Sequence, residues 1–67
     1  MALSRKMTGE ELAQIREKLG ATQVEFGVLL GRSPSSVSQM ERGEAPVTES
    51  FALLVRLVEK FGIEEIR

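Results

Sequence analysis

The sequence contains no cysteine, histidine, aspartate, asparagine, tyrosine or tryptophan. Without cysteine, neither a disulfide nor a thiolate metal site can reinforce the core. Without histidine and aspartate, the chain lacks the commonest general base, the commonest metal ligand and the short carboxylate of most catalytic triads. Serines are present, but a serine without a base partner is not an activated nucleophile. We therefore expect neither an enzyme nor a metal or cofactor site.

Long hydrophobic runs are also missing. No apolar stretch approaches the roughly 20 residues that span a bilayer, and the N-terminus lacks the apolar segment of a signal peptide. We expect a cytoplasmic protein with no membrane contact. A chain of 67 residues allows one small domain, and we predict a flexible N-terminal arm at 1–7 followed by a single domain at 8–67.

The charge is weakly negative, with a formal net charge of −1. This value argues against a protein that binds any polyanion through its overall charge. The chain has six basic and five acidic residues up to Gly43, and three basic and five acidic residues from Glu44 onward. Because the acidity lies in the C-terminal third, nucleic-acid binding would depend on a local patch and on dimerisation.

Helix-capping signals divide the chain into helices. Thr8 and Thr22 each begin a T-x-x-E capping box. Ser33 followed by Pro34 is a strong start signal for a third helix, and Thr48 caps a fourth. Apolar residues recur at helical spacing, and no strand-like alternation is present. The pattern predicts an all-α, compact bundle of four to five short helices.

Two further features concern packing. Leu12 and Ile15 in the first helix and Phe26 in the second are expected to face the core. Gly27 lies within the second helix, where glycine costs about 1 kcal/mol relative to alanine. We interpret Gly27 sterically, as a position where another helix crosses and leaves no room for a Cβ atom.

The third helix has two different faces. Val37 and Met40 lie three residues apart and point to one side. The opposite side carries a continuous polar stripe at i, i+3, i+4 and i+7, made of Ser35, Ser38, Gln39 and Arg42. An apolar back and a stripe of hydrogen-bonding groups suit a helix that presents itself to another molecule, which we interpret as DNA.

The segment from Gln23 to Gly43 resembles the helix-turn-helix of the phage lambda-type repressor and Cro family, often called the XRE family. The features that carry the resemblance extend over about residues 8–58 and comprise Ile15, Arg16, Leu19, Gly20, Thr22–Gln23, Gly31, the serine, valine and methionine spacing of the third helix, and Glu41–Gly43. Gly27 departs mildly, because the family usually has alanine there. The resemblance implies a lambda repressor-like bundle in which the third helix enters the major groove.

Base-reading roles follow from this resemblance. Gln39 is the foremost candidate, because its amide can donate and accept at once and suits adenine N6 and N7. Ser35 and Ser38 can bond either base edges or phosphate, and Pro34 can touch a thymine methyl group. The alternative for Gln39 is simple solvation of an exposed side chain.

Phosphate-contacting roles fall on five residues. Gln23 opens the second helix, where free N–H groups and the helix dipole favour an anion, although it could equally be an ordinary first-turn residue. Arg42 lies on the polar stripe, whereas Arg32 could be only a turn residue. Ser33 and Ser36 are the remaining candidates, with helix capping as their alternative role.

Arg16 and Glu41 receive a structural role instead. The resemblance implies that they pair across the first and third helices and fix the reading helix against the scaffold. Such a pair contributes orientation more surely than net stability, but removal of one partner leaves the other unpaired.

The fourth helix has an apolar face wider than one small core requires. We assign it to homodimerisation, with the face formed by Phe51, Leu54, Val55, Val58 and Phe61 and extended by Ile63 and Ile66. The alternative is an ordinary core with some exposed leucines. The segment 53–67 is also similar to the closing helices of certain antitoxin DNA-binding domains.

These observations predict a sequence-specific DNA-binding transcriptional regulator, a dimeric repressor of a palindromic operator with half-sites about 34 Å apart. No residues remain for a sensor domain, so no small-molecule ligand is expected. The alternative is an antitoxin-like or adaptor module that binds another protein through its last helix. A salt-dependent affinity for duplex DNA would separate the two.

Overall fold

In a computed structural model, which describes residues 6–62, the chain forms a bundle of four α-helices: α1 (Gly9–Lys18), α2 (Gln23–Leu30), α3 (Pro34–Glu41) and α4 (Glu49–Phe61). No strand occurs in this described part. The all-α prediction is therefore confirmed. None of the helices in residues 6–62 has the length and hydrophobicity needed to cross a bilayer.

The predicted caps begin all four helices. Thr8 and Thr22 form complete capping boxes, in which the threonine oxygen accepts from the N3 backbone and the N3 glutamate accepts from the cap backbone. Ser33 caps α3 ahead of Pro34, and Thr48 caps α4. A cap of this kind stabilises a helix by about 1 kcal/mol, which matters in a bundle whose helices α2 and α3 have only eight residues each.

The core takes at least one side chain from each helix. Leu12, Phe26, Val37, Phe51 and Val55 are the largest fully buried residues. Burial of each such side chain contributes about 1.5–3 kcal/mol, so all four helices are held by one shared apolar cluster.

Met7 is buried as well, with 4% of its surface exposed, and it belongs to the same cluster. The division into an arm at 1–7 and a domain from residue 8 stays a prediction, although Met7 itself packs with the domain. The folded part includes Met7, because its side chain covers the core beside the first turn of α1.

Two glycines mark close backbone approaches. A Cβ atom on Gly27 would lie 2.5 Å from the carbonyl oxygen of Arg32, in the turn after α2. The steric reading of Gly27 is right, but its neighbour is the α2–α3 turn and not a crossing helix. The crossing contact occurs at Gly9, where a Cβ atom would overlap the carbonyl oxygens of Met40 and Glu41. Gly9 therefore sets how closely α1 approaches the end of α3.

Candidate nucleic-acid interface

The third helix presents its polar stripe outward. Val37 and Met40 are 0% and 4% exposed, so the apolar back of α3 lies in the core. On the opposite side Ser35, Gln39 and Arg42 are exposed, and Ser38 is half-buried. Pro34 is also exposed at the N-terminal end of the helix. The result is a polar stripe about two helical turns long that is open to solvent at Ser35, Gln39 and Arg42.

Arg16 and Glu41 form the main polar contact between α1 and α3. The guanidinium Nε donates to Glu41 Oε2 at 2.6 Å and Nη2 donates to Oε1 at 3.1 Å. A third bond runs from Nη1 to the carbonyl oxygen of Ala21 at 3.0 Å. The two side chains are only 15% and 8% exposed. The bond to Glu41 raises the pKa of Arg16, while desolvation opposes that shift.

This geometry fixes the rotation of α3. Glu41 is the last residue of the helix, and a bidentate pair allows little rotation of either plane. The anchored face and the polar stripe lie on different sides of the same helix. Rotation of α3 about its axis would therefore break the pair before it moved the stripe inward.

Gln23 joins this anchor, which the sequence did not indicate. Its side-chain Nε2 donates to Glu41 Oε1 at 3.0 Å, so the amide at the first turn of α2 is tied to the last turn of α3. Glu41 thus links three helices. Eighteen residues separate the two partners, and no local pattern predicts a contact at that range.

Arg42 has a partner that the sequence also did not indicate. Its Nε donates to Glu44 Oε2 and its Nη2 donates to Glu44 Oε1, each at 3.0 Å. Both side chains remain more than half exposed, at 59% and 57%. Arg42 therefore lies at the surface beside the stripe, with its charge paired to a carboxylate.

The other phosphate candidates lie in the α2–α3 turn or the first turn of α3. Arg32 is exposed, and its guanidinium carbon is 5.2 Å from the centre of the Phe51 ring. The Ser33 oxygen accepts a hydrogen bond from the Ser36 backbone at 3.1 Å. Ser33 therefore caps α3 while its own O–H remains a donor, and Ser36 is half-buried.

The predicted dimerisation residues divide into two groups. Phe51, Val55 and Val58 are 5% exposed or less. These side chains pack α4 onto its own chain, and their part in a dimer interface stays a prediction. Leu54 and Phe61 are about half exposed. Ile63 and Ile66 lie outside the described residues.

Two apolar surfaces are open among residues 6–62. One is on α4, where Leu53 and Leu57 are exposed together with Leu54 and Phe61. The other, which the sequence analysis missed, is on α2, where Val24 and Val28 are 56% and 77% exposed beside a shallow hollow that Leu29 also lines. The i, i+4 spacing of Val24 and Val28 is the sequence feature that places both valines on one face of α2.

Comparison with known proteins gives a family match and a curated relative. Residues 8–65 match the family model described as a helix-turn-helix domain. The chain is 32% identical over 62 residues to the HTH-type transcriptional regulator RamB of Mycobacterium tuberculosis, in strains CDC 1551 and H37Rv. That alignment covers 92% of this chain but only 13% of the relative. No solved structure matches significantly. The match over residues 8–65, together with the four-helix bundle, shows that the chain belongs to the helix-turn-helix domain family.

Proposed function

We propose that this chain is a sequence-specific DNA-binding transcriptional regulator of the lambda-type repressor and Cro class. The observation that carries the proposal is the outward polar face of α3, with Gln39 and Arg42 exposed and Val37 fully buried behind them. A helix of this width fits the major groove of B-DNA. Membership of the helix-turn-helix family and similarity to a protein named as a transcriptional regulator support it.

Sequence readout falls to the exposed part of α3. Gln39 pairs its amide with adenine N6 and N7, Ser35 and Ser38 bond base edges or phosphate, and Pro34 contacts a thymine methyl group. Phosphate contacts position the helix and carry no sequence information. They come from Gln23, Arg32, Ser33, Ser36 and Arg42.

Gln23 suits its phosphate role in the conformation that the structure gives it. One side-chain N–H is held by Glu41, and an amide nitrogen carries two donors. The second N–H, together with the backbone N–H groups of Gln23 and Val24 at the start of α2, can bind an anion, whereas the N–H of Glu25 is held by the Thr22 oxygen.

The regulator acts as a homodimer and a repressor. The chain measures 28 Å along its longest axis, whereas successive major-groove half-sites lie about 34 Å apart. A single α3 cannot occupy both. The exposed apolar residues of α4 supply the dimer surface, and occupancy of a palindromic operator blocks polymerase.

The substitutions Leu54→Glu and Leu57→Glu test this dimer surface. Each variant is expected to sediment as a monomer in analytical ultracentrifugation. A dimer mass that neither substitution changes would show that the interface does not lie on this face of α4.

Selection of bound sequences from a random duplex pool tests the proposal most directly. The expected result is an enriched palindrome with half-sites one helical turn apart, whose affinity falls steeply with salt. Enrichment of no sequence would contradict the proposal. Enrichment of a single half-site would support sequence-specific DNA binding but contradict binding as a dimer.

A second function is an interaction module that binds another protein through α4 and no DNA. The exposed Leu53, Leu54, Leu57 and Phe61 favour it, as does the net charge of −1. The salt titration distinguishes the two. Duplex binding that is weak at low salt and indifferent to ionic strength would favour the interaction module, since no phosphate contact would then be releasing counterions.

A further inference from the structure

The inference concerns Glu44, which follows α3 and contacts Arg42. We propose that Glu44 competes with DNA phosphate for the guanidinium of Arg42 and thereby limits the affinity of this chain for any duplex. The proposal rests on the proposed DNA-binding function and adds a residue that opposes it.

The turn after α3 holds Glu44 in position. Gly43 has a positive φ of 78°, a conformation that glycine adopts without strain. The backbone N–H of Gly43 then donates to Met40 at 3.2 Å, and that of Glu44 donates to the Gln39 carbonyl oxygen at 2.8 Å. This pattern is a Schellman motif. It folds the backbone of Glu44 back over the last turn of α3, where its carboxylate reaches Arg42.

The contact uses a guanidinium edge that can also bind a phosphate. Arg42 donates through Nε and Nη2 to the two oxygens of Glu44. The arginine fork fits carboxylates and phosphates bidentately in the same way. These two donors therefore cannot bind both partners at full strength, and a phosphate bonded to them must displace Glu44.

Displacement is feasible because the pair is exposed. The side chains are 59% and 57% accessible, and exposed pairs stabilise proteins only weakly. Glu44 therefore does not block DNA binding but weakens it, both by occupying Arg42 and by leaving a carboxylate near the phosphate once displaced. A single carboxylate matters in this region, because basic residues exceed acidic ones by only one up to Gly43. The charge of Glu44 cancels that excess.

The direct test is Glu44→Gln, measured as duplex affinity at fixed salt on a selected operator and on a scrambled duplex. We expect about a three- to tenfold tighter Kd on both, with the ratio between them unchanged, because the contact is to phosphate and not to a base. Glu49→Gln, an exposed glutamate at the start of α4, makes the same change in net charge and serves as the matched control. It is expected to change Kd by less than about twofold, because Arg42 is bonded to Glu44 and the change at Glu49 therefore releases no phosphate-binding donor.

The second measurement repeats Glu44→Gln in an Arg42→Ala background. The gain should fall to less than half, because its main cause is the release of Arg42. An equal gain in both backgrounds, an equal gain from Glu49→Gln, or no gain at all would overturn the role of Glu44. Thermal unfolding of every variant checks that the fold is intact. If the wild type and all variants bind no duplex at low salt, the proposed function fails together with this inference, whereas wild-type binding that Glu44→Gln leaves unchanged removes this inference alone.

Discussion

Residues 6–62 contain two bidentate arginine–glutamate pairs at the end of the same helix, and the pairs differ in burial and in sequence separation. Arg16 and Glu41 are 15% and 8% exposed and are separated by 25 residues. Arg42 and Glu44 are 59% and 57% exposed and are separated by two residues. Similar chemistry therefore occurs once as an anchor between helices and once as a local surface contact. The difference indicates that residue type alone does not decide what a charge pair does here, since the two pairs differ both in burial and in whether they join separate helices.

The largest expected effect is on the part-buried pair of Arg16 and Glu41. Glu41→Ala should lower the free energy of unfolding by about 3 kcal/mol, at the low end of the range for buried ion pairs, because it leaves a partly buried guanidinium without its carboxylate. It also removes the acceptor of Gln23. Denaturant titration measures the loss. Because native domains are stabilised by only about 5–15 kcal/mol, the variant is expected to be close to unfolding at room temperature.

The matched control for that prediction is Glu44→Ala at the exposed pair. We expect a change within about 0.5 kcal/mol, since surface pairs contribute little. Equal losses for the two alanine variants would show that burial does not separate them, and the comparison would then fail.

A smaller effect is expected at Gln39, which precedes both glutamates and lies on the open side of α3. Gln39→Ala should weaken binding to the true operator by about 1–3 kcal/mol and relax preference at one base pair. Its backbone carbonyl still holds the turn at Glu44, so the fold should not change. Competition binding against a scrambled duplex measures the effect. Equal weakening on both duplexes would remove Gln39 from the base-reading set.

Arg42→Ala is expected to act differently from Gln39→Ala. It should weaken all duplexes alike and flatten the slope of log K against log salt by about one unit, because one phosphate contact is lost. Affinity at several salt concentrations measures this slope. An unchanged slope would mean that the exposed arginine stays paired with Glu44 on DNA and contacts no phosphate.

The same contrast between local and distant contacts explains what the sequence could predict. Thr8 and Glu11 lie three residues apart, and their capping box follows from that spacing alone. The order, type and approximate ends of the helices depend on such local signals. The outward direction of Ser35 and Gln39 follows from helical periodicity once Val37 is placed in the core.

The remaining features depend on tertiary packing. The bond from Gln23 to Glu41 and the position of Arg32 over Phe51 join residues that are 18 and 19 places apart, and neither partner marks the other in the sequence. The periodicity of α4 identified an apolar face, but it could not show which part of that face its own chain covers. Val55 is buried and Leu54 is not, although both are apolar and adjacent.

The Arg16–Glu41 pair differs from the Arg42–Glu44 pair both in being less exposed and in joining two helices. A third ion pair allows these two factors to be tested separately. Lys18 of α1 approaches Glu59 of α4, with Nζ 3.8 Å from Oε2, and the two side chains are 75% and 31% exposed. Like Arg16 and Glu41, this pair joins separate helices, but like Arg42 and Glu44 it is largely solvated. If burial is what counts, Lys18→Gln should change the free energy of unfolding by less than about 0.5 kcal/mol, measured by denaturant titration beside Glu41→Ala. If Lys18→Gln instead lowers the free energy of unfolding by several kcal/mol, the Arg16–Glu41 pair stabilises the fold because it joins two helices, and its low exposure to water is not the cause.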